Sequence, residues 1–147
     1  MVASFLVEES MIKEIVKDPI FLSKRAEDAV REDKDVVIDL LDTITAHKEH
    51  CVGMAANMIG VLKRMIVILD QDEYIVMINP VVMKLSGTYK EVEEGCLSHQ
   101  GIKKTMRYET IKVAFLDMDY KKRIKTMHGW SAQIIQHELD HLEGILI

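Results

Sequence analysis

Two histidines and a glutamate close to the end of the sequence have the types and spacing of a metal-activated hydrolytic centre. The last residues are HELDHLEGILI, in which His137, Glu138 and His141 form an HExxH motif. On a helix, residues i and i+4 lie on the same face, so both imidazoles can bind one metal ion. Glu138 then lies beside the metal and can accept a proton from water. A helix that merely exposes two histidines to solvent is the alternative interpretation of so short a motif.

A catalytic metal needs a third protein ligand, and the sequence indicates that it lies upstream. Thermolysin-like enzymes take a glutamate from a helix well downstream of the motif, and only six residues follow His141. Metzincins take the third histidine of HExxHxxGxxH, and Ile147 stands at that position. The upstream candidates are carboxylates and the side chains of His47, His50, Cys51, Cys96, His99 and His128.

Cys96 is the best of these candidates because of its surroundings, EEGCLSHQG. A preceding glycine and a following polar turn describe a loop from which a thiolate can face a cleft. A lone cysteine is more often a small buried apolar residue, which is the alternative here. A Cys–His–His site leaves one position open and is therefore catalytic rather than structural.

The elements that would position these residues can be assigned from hydrophobic spacing. Residues 35–50 predict an amphipathic helix whose core-facing stripe contains Val36, Val37, Leu40, Leu41 and Ile44. Strands are predicted at 64–70, 73–80, 81–87 and 111–117, separated by turns such as Asp70-Gln71-Asp72 and Ser86-Gly87. A last helix is predicted from Gly129 or Ser131 to a break at Gly144. This order of elements predicts an α+β domain in which helices pack on antiparallel sheet.

Length and composition exclude several classes of protein. A chain of 147 residues fits one domain, with residues 1–10 as an N-terminal extension and 11–147 as the catalytic domain. A net charge of -5 gives no electrostatic footprint for nucleic acid, and the basic run at 122–125 is interpreted as a solvated strand end. No apolar run approaches the ~20 residues of a membrane span. Two cysteines are too few for a disulfide framework, so a reducing, cytoplasmic location is expected.

Three segments resemble the motifs of the peptide deformylase family. They are CVGMAANMIG (51–60), EGCLS (94–98) and QHELDHLEG (136–144), in the order and approximate spacing of that family. The segment IVKDPIFLSKRAEDAV (15–30) also resembles its usual N-terminus. The resemblance implies antiparallel sheets packed around a C-terminal metal-binding helix. It also implies hydrolysis of the N-formyl group from formyl-methionine at the N-terminus of nascent polypeptides.

The resemblance implies roles in binding the metal and in catalysis. Cys96, His137 and His141 would hold one divalent metal ion, with Fe(II) expected before Zn, Ni or Co. Glu138 would act as general base and then as general acid. The backbone N–H of Leu97 would stabilise the oxyanion.

Further matches imply roles in substrate binding and support. The backbone of Val52, Gly53 and Gly95 would pair with the extended substrate, above an apolar pocket for methionine. Supporting roles are implied for the possible ion pair of Glu94 with Arg107, for Gln136 and Asp140 as orienting residues, and for Trp130 and Ile134 as pocket walls. Solvated surface charges and plain core residues are the alternatives for these positions.

Two positions of the first motif, GxGxAAxQ, depart from the family. Met58 replaces a glutamine whose side chain donates to the oxyanion, and a thioether has no donor. Because losing one such donor elsewhere costs about 10²–10³ in turnover, weakened catalysis is expected. The alternative is a paralogue that binds metal and peptide N-termini without turnover, and a metalloprotease of another architecture is a weaker third. Cys51 replaces the first glycine and is expected to be a small packed side chain, with a second thiol near the metal as the alternative.

Two smaller departures concern the ends of the second and third motifs. Gln100 stands where the family usually has a proline, which predicts only a loop adjustment. Many bacterial members carry a further C-terminal element, used in some for ribosome contact. The present sequence stops at Ile147, so ribosome contact is left open.

Overall fold

The structure, a computed structural model, describes residues 11–147. The extension expected at residues 1–10 lies outside the described residues. Three α-helices are assigned in this part of the chain, α1 (Pro19–Leu22), α2 (Lys34–Ala46) and α3 (Gly129–Leu142). The strands are β1 (Gly53–Ala55), β2 (Met65–Asp70), β3 (Glu73–Gly95), β4 (Ile102–Leu116) and β5 (Lys122–His128). Two 3-10 turns, Arg31–Asp33 and Ala56–Ile59, complete the elements.

The strands form one antiparallel sheet in the order β1-β2-β3-β4-β5. The α+β class is confirmed, although the described strands belong to a single sheet rather than to several. The sheet is a meander in which each strand pairs with its neighbour in sequence, so short connections suffice. Among the described residues, no helix is both long enough and apolar enough to cross a membrane.

Strand β3 corrects the expectation of two strands at 73–80 and 81–87. The chain continues as one strand through Pro80 and Gly87 to Gly95. Register shifts against β4 occur between Ile78 and Val81, between Val82 and Lys84, and between Ser86 and Tyr89. Residues that favour turns are thus accommodated as β-bulges, which bend a strand without ending it.

Alternate side chains of β2 divide the core between the two faces of the sheet. Met65 and Val67 face α2, where they share a buried cluster with Leu40 and Ile44. Ile66 and Ile68 face α3 and share a second cluster with Ile135 and Leu142. The predicted amphipathic helix is therefore confirmed, although it ends at Ala46 instead of His50. His47 and Lys48 donate to the carbonyls three residues earlier, so the chain tightens into turns at that point.

Helix α3 begins and ends at glycines with positive φ angles. Gly129, its first residue, has φ 58°, and Gly144, just after its end, has φ 77°. A Cβ on Gly144 would lie against the carbonyl oxygen of Ser23, so the helix end packs directly on the loop after α1. The expected helix break at Gly144 is confirmed, and this packing fixes where the motif-bearing helix lies.

Candidate metal centre

A sulfur and two imidazole nitrogens meet where the end of β3 approaches α3. Cys96 follows the last residue of β3, and its Sγ lies 3.4 Å from Nε2 of His141. Nε2 of His141 lies 3.2 Å from Nε2 of His137. All three ligand atoms lie within 4.8 Å of one another. Tetrahedral zinc with usual bond lengths would separate two nitrogens by about 3.3 Å and a nitrogen from a sulfur by about 3.5 Å. The donor set therefore fits a single ion.

A buried ion pair holds the first of these histidines. Nδ1 of His137 donates to Oε1 of Glu94 at 2.8 Å, which leaves Nε2 to face the other ligands. The guanidinium of Arg107 donates to both oxygens of Glu94, at 2.8 Å and 3.0 Å. Glu94 and Arg107 are only 8% and 6% exposed, so the alternative of solvated surface charges is wrong. Burial raises the pKa of Glu94, but the hydrogen bonds from His137 and Arg107 outweigh it and lower the pKa to about 2.

Three polar side chains of α3 extend this support. Nη1 of Arg107 donates to Asp140 at 2.7 Å, so Asp140 acts on the site through the arginine. Gln133 donates to Glu94 at 3.1 Å. Gln136 instead forms two hydrogen bonds with the backbone of Tyr108 on β4, each 2.8 Å long. Asp140 and Gln136 were both expected to orient ligands. Asp140 is connected to the ligand His137 through Arg107 and Glu94, whereas Gln136 anchors the helix to the sheet.

The two imidazoles differ in their surroundings. Burial lowers the pKa of His141 to about 3, so this ring is neutral. Burial also opposes protonation of His137, but hydrogen bonds to Cys96 and Glu94 outweigh it and raise its pKa to about 10. Because a metal-binding imidazole nitrogen must be deprotonated, metal binding at His137 should release a proton from that ring.

A cavity of about 540 Å³ opens beside the ligand cluster. Its lining includes the residues that the family resemblance relates to substrate or oxyanion binding, namely Val52, Gly53, Met58, Gly95 and Leu97. Trp130 and Ile134 also line it, with Trp130 exposed at 61% and Ile134 buried. The cavity is thus continuous with the proposed ligands Cys96 and His137.

Glu138 is the buried carboxylate of this cavity. Burial raises its pKa to about 7, and its Oε1 is buried without a hydrogen-bond partner among the described residues. A Cβ on Gly53 would lie 2.7 Å from Oε2 of Glu138 and 2.7 Å from Cγ2 of Ile134. The absence of a side chain at Gly53 therefore leaves the space in which Glu138 lies. A carboxyl group with a pKa near neutrality is suited to general acid–base catalysis.

Both departures in the first motif lie at this cavity. Met58 is 1% exposed, and its side chain provides no N–H for an oxyanion. Sγ of Cys51 donates to the carbonyl oxygen of Gly53 at 2.9 Å, and burial raises the thiol pKa to about 12. Cys51 is not among the described residues with positive φ, so it fits its position without backbone strain. These features match the expected small packed side chain, and Cys51 is not part of the ligand cluster.

Several residues near the centre were not identified from the sequence. Asn57 is fully buried and donates from Nδ2 to the backbone carbonyl of His141 at 2.9 Å. Lys48 and Glu49 also line the cavity, together with His50, which the sequence named only as a candidate metal ligand and which is not in the ligand cluster. The sequence did contain one signal for Asn57. It is a polar residue within an apolar motif, and a polar side chain that is buried needs a hydrogen-bond partner.

A cysteine sulfur, two imidazoles and a neighbouring buried glutamate at an open cavity are typical of metal-dependent hydrolases. The family model described as polypeptide deformylase matches residues 12–147. A peptide deformylase of Clostridium beijerinckii is 53% identical over 137 residues, which cover 93% of this chain and 100% of that protein. A peptide deformylase of Symbiobacterium thermophilum is 40% identical, covering 92% of this chain and 64% of that protein.

Solved structures give the same result. A class I type b peptide deformylase from Acinetobacter baumannii, bound to Met-Ala-Ser, has a TM-score of 0.84 at 26% identity, covering 93% of this chain and 97% of that one. Peptide deformylase from Ehrlichia chaffeensis in complex with actinonin has a TM-score of 0.84 at 29% identity, covering 92% and 86%. The chain belongs to the polypeptide deformylase family, and it is a hydrolase.

Proposed function

We propose that this chain removes the formyl group from N-formyl-methionyl peptides at the cavity beside Cys96, His137 and His141. The observation that carries the proposal is the buried carboxylate of Glu138 beside that ligand cluster in one open cavity. The 53% identity to a peptide deformylase over nearly the whole chain supports turnover, and nothing favours the non-hydrolysing alternative over it. Nascent chains in the cytoplasm are the proposed source of substrate.

Cys96, His137 and His141 are the proposed ligands of one divalent metal, with Fe(II) proposed before Zn, Ni or Co. Sulfur and imidazole donors suit several of these ions, so the donor set alone does not select one. When bound, the metal supplies Lewis acidity that lowers the pKa of a water molecule and polarises the formyl oxygen. Glu94 keeps His137 in the tautomer that presents Nε2 to the metal.

Glu138 is the proposed general base and general acid. It accepts the proton of the attacking water and later delivers that proton to the nitrogen of the leaving amine. Burial favours the neutral carboxyl form, which helps Glu138 to hold the accepted proton until it passes to the amine nitrogen. The backbone N–H of Leu97 is the proposed oxyanion donor.

The remaining cavity residues are proposed to orient the peptide. The backbone of Val52, Gly53 and Gly95 would pair with an extended chain, as in strand addition at a sheet edge. The bond from Cys51 to the carbonyl of Gly53 does not involve the Gly53 N–H, but it occupies one lone pair of the carbonyl oxygen. Met58 contributes apolar surface and no hydrogen bond.

The direct test is deformylation of a short formyl-methionyl peptide by anaerobically purified Fe(II) protein. Turnover in the parent is expected to be lost in Glu138→Gln, which keeps the shape of the side chain but not its basicity. Met58→Gln should raise turnover, by up to about 10²–10³-fold if the missing donor limits the parent. A metal-loaded parent that stays inactive, and is not rescued by Met58→Gln, would contradict the proposed substrate.

A further inference from the structure

The second histidine of the cluster has a buried nitrogen without a partner. Nε2 of His141 faces Cys96 and His137, whereas its Nδ1 is buried and makes no hydrogen bond among the described residues. Asn57, which is fully buried, donates from Nδ2 to the backbone carbonyl of His141 at 2.9 Å. Oδ1 of the same asparagine is also buried without a partner in this part of the chain. An unsatisfied acceptor and an unsatisfied ring nitrogen thus belong to two residues that are joined by a hydrogen bond from the Asn57 amide to the His141 backbone.

His137 shows what such a nitrogen requires. Its Nδ1 donates to Glu94 at 2.8 Å, so the proton that must leave on metal binding is the one on Nε2. A histidine that binds metal through Nε2 must carry its proton on Nδ1, and metal-bound histidines almost always donate that N–H to an acceptor. Glu94 accepts a hydrogen bond from His137 but not from His141, so Nδ1 of His141 needs a different acceptor.

We propose that Asn57 is the positioning residue of His141, with Oδ1 accepting the Nδ1–H of that ring through one bridging water. The orientation of the amide supports this assignment, because Nδ2 is held on the His141 carbonyl and the acceptor oxygen is left over. A buried site with several polar groups is one that a single water can bridge. The proposal rests on the proposed metal site and adds a residue that fixes one ligand's tautomer.

Two other buried atoms compete for the same role. Oγ of Ser98 and Nε2 of His99 also lack partners among the described residues. Neither side chain makes a hydrogen bond to any atom of His141, whereas Asn57 donates to its backbone carbonyl. Asn57 also joins the 3-10 turn of the first motif to the backbone of α3 across 84 positions of sequence, so its side chain has a fixed position relative to His141. We therefore assign the acceptor to Asn57.

The first test uses the unaltered chain loaded with zinc and labelled with ¹⁵N in its histidines. Zinc is diamagnetic, so the ring resonances of His141 can be observed. We expect Nδ1 to be protonated, with a slowly exchanging proton that shows a nuclear Overhauser effect to the side-chain amide protons of Asn57. An Nδ1 without a proton, or a proton close to Ser98 and not to Asn57, would overturn the proposal.

The second test compares variants by the same signal and by zinc affinity measured against a chelator. Asn57→Leu should lose the slowly exchanging proton and bind zinc about 10- to 100-fold more weakly. Asn57→Asp keeps Oδ1 and should retain the proton, a rescue that a purely structural role would not predict. Ser98→Ala is the matched control and should retain both properties. Unchanged signal and affinity in Asn57→Leu, or their loss in Ser98→Ala, would refute the assignment.

Neither readout depends on turnover. A chain that fails to deformylate peptides would contradict the proposed function without altering these results. If Asn57→Leu does not fold, the measurement on the unaltered chain still decides whether the ring proton lies beside Asn57.

Discussion

Gly53 leaves just enough space for the glutamate that is proposed to move the proton. An added Cβ there would approach both Oε2 of Glu138 and Cγ2 of Ile134 to 2.7 Å, closer than such atoms pack. Both neighbours belong to α3, which is fixed by its packing on the sheet. The side chains of Glu138 and Ile134 would therefore both have to shift, and the shift of the carboxylate is the one that affects proton transfer.

We expect Gly53→Ala to reduce kcat by about 10²-fold, because displacement of a reacting group by about 1 Å has effects of that size. Steady-state deformylation with Fe(II) protein measures the change. Gly95→Ala is the control for an added methyl group in the same cavity, because its Cβ would meet only the carbonyl of Gly101, at 4.0 Å. An equal loss of kcat in both variants would show that crowding of Glu138 is not the cause.

Glu94 carries two tasks, since it pairs with Arg107 and orients His137. Removing one partner of a buried ion pair leaves the other charge uncompensated, which costs about 3–5 kcal/mol. We expect Glu94→Gln to lose about 3 kcal/mol of unfolding free energy, because the amide oxygen can still accept hydrogen bonds and Arg107 keeps Asp140.

Urea denaturation of the metal-free protein checks this value. Glu93→Gln, an exposed neighbour on the same strand, is the matched control and should change the unfolding free energy little. A Glu94→Gln protein as stable as Glu93→Gln would mean that the ion pair contributes no net stability.

Glu143, just beyond α3, connects the end of that helix to two other parts of the chain. Its carboxylate accepts from Arg64 at 2.8 Å and from Arg25 at 2.8 Å. The hydrogen bond from Arg64 is the main cause that holds the pKa of Glu143 below its ordinary value, with Arg25 adding to it. The stabilisation that follows is present above the unfolded-state pKa and is lost as the pH falls through the folded-state pKa.

We expect the unfolding free energy of Glu143→Gln to lie below that of the parent at pH 7 and to converge with it below pH of about 4. Urea denaturation at a series of pH values measures both curves. Glu91→Gln, at an exposed position of β3, controls for the loss of one carboxylate. A difference between parent and Glu143→Gln that is as large at pH 3 as at pH 7 would show that ionisation of Glu143 is not its source.

Strand β3 shows why element boundaries were only partly predictable. Pro80 and Ser86-Gly87 are ordinary turn signals, yet they lie within one strand as bulges. Whether such residues end a strand depends on its partner, and β4 continues alongside through all three register shifts. By contrast, helices α2 and α3 could be predicted because the apolar residues of each recur with a helical period, which is a local property of the sequence.

Over the whole molecule, the sequence indicated which residues belong to the site but did not indicate which distant residues they contact. The motifs indicated Cys96, His137 and His141, and the structure brings these residues together. For Glu94 and Arg107 the sequence allowed either an ion pair or two solvated surface charges, because the residue types alone do not show whether a charged side chain is buried. Asn57 escaped notice because its partner His141 is 84 positions away and contributes a backbone carbonyl.

Because the proposed metal ligands come from distant segments of the chain, metal binding should stabilise the folded state. Cys96 follows β3, and the two histidines lie on α3, so one ion would connect segments that separate on unfolding. A ligand that binds only the folded state adds about 2.7 kcal/mol at 100 times its Kd. We expect zinc at that excess to raise the unfolding free energy by about this amount and a chelator to reverse it.

Cys96→Ala should abolish the zinc-dependent increase in unfolding free energy, whereas Cys51→Ala, which removes the other thiol of the cavity, should retain it. Full zinc occupancy in Cys96→Ala would show that the cysteine is not a ligand, and loss of the increment in Cys51→Ala would place the second thiol at the metal.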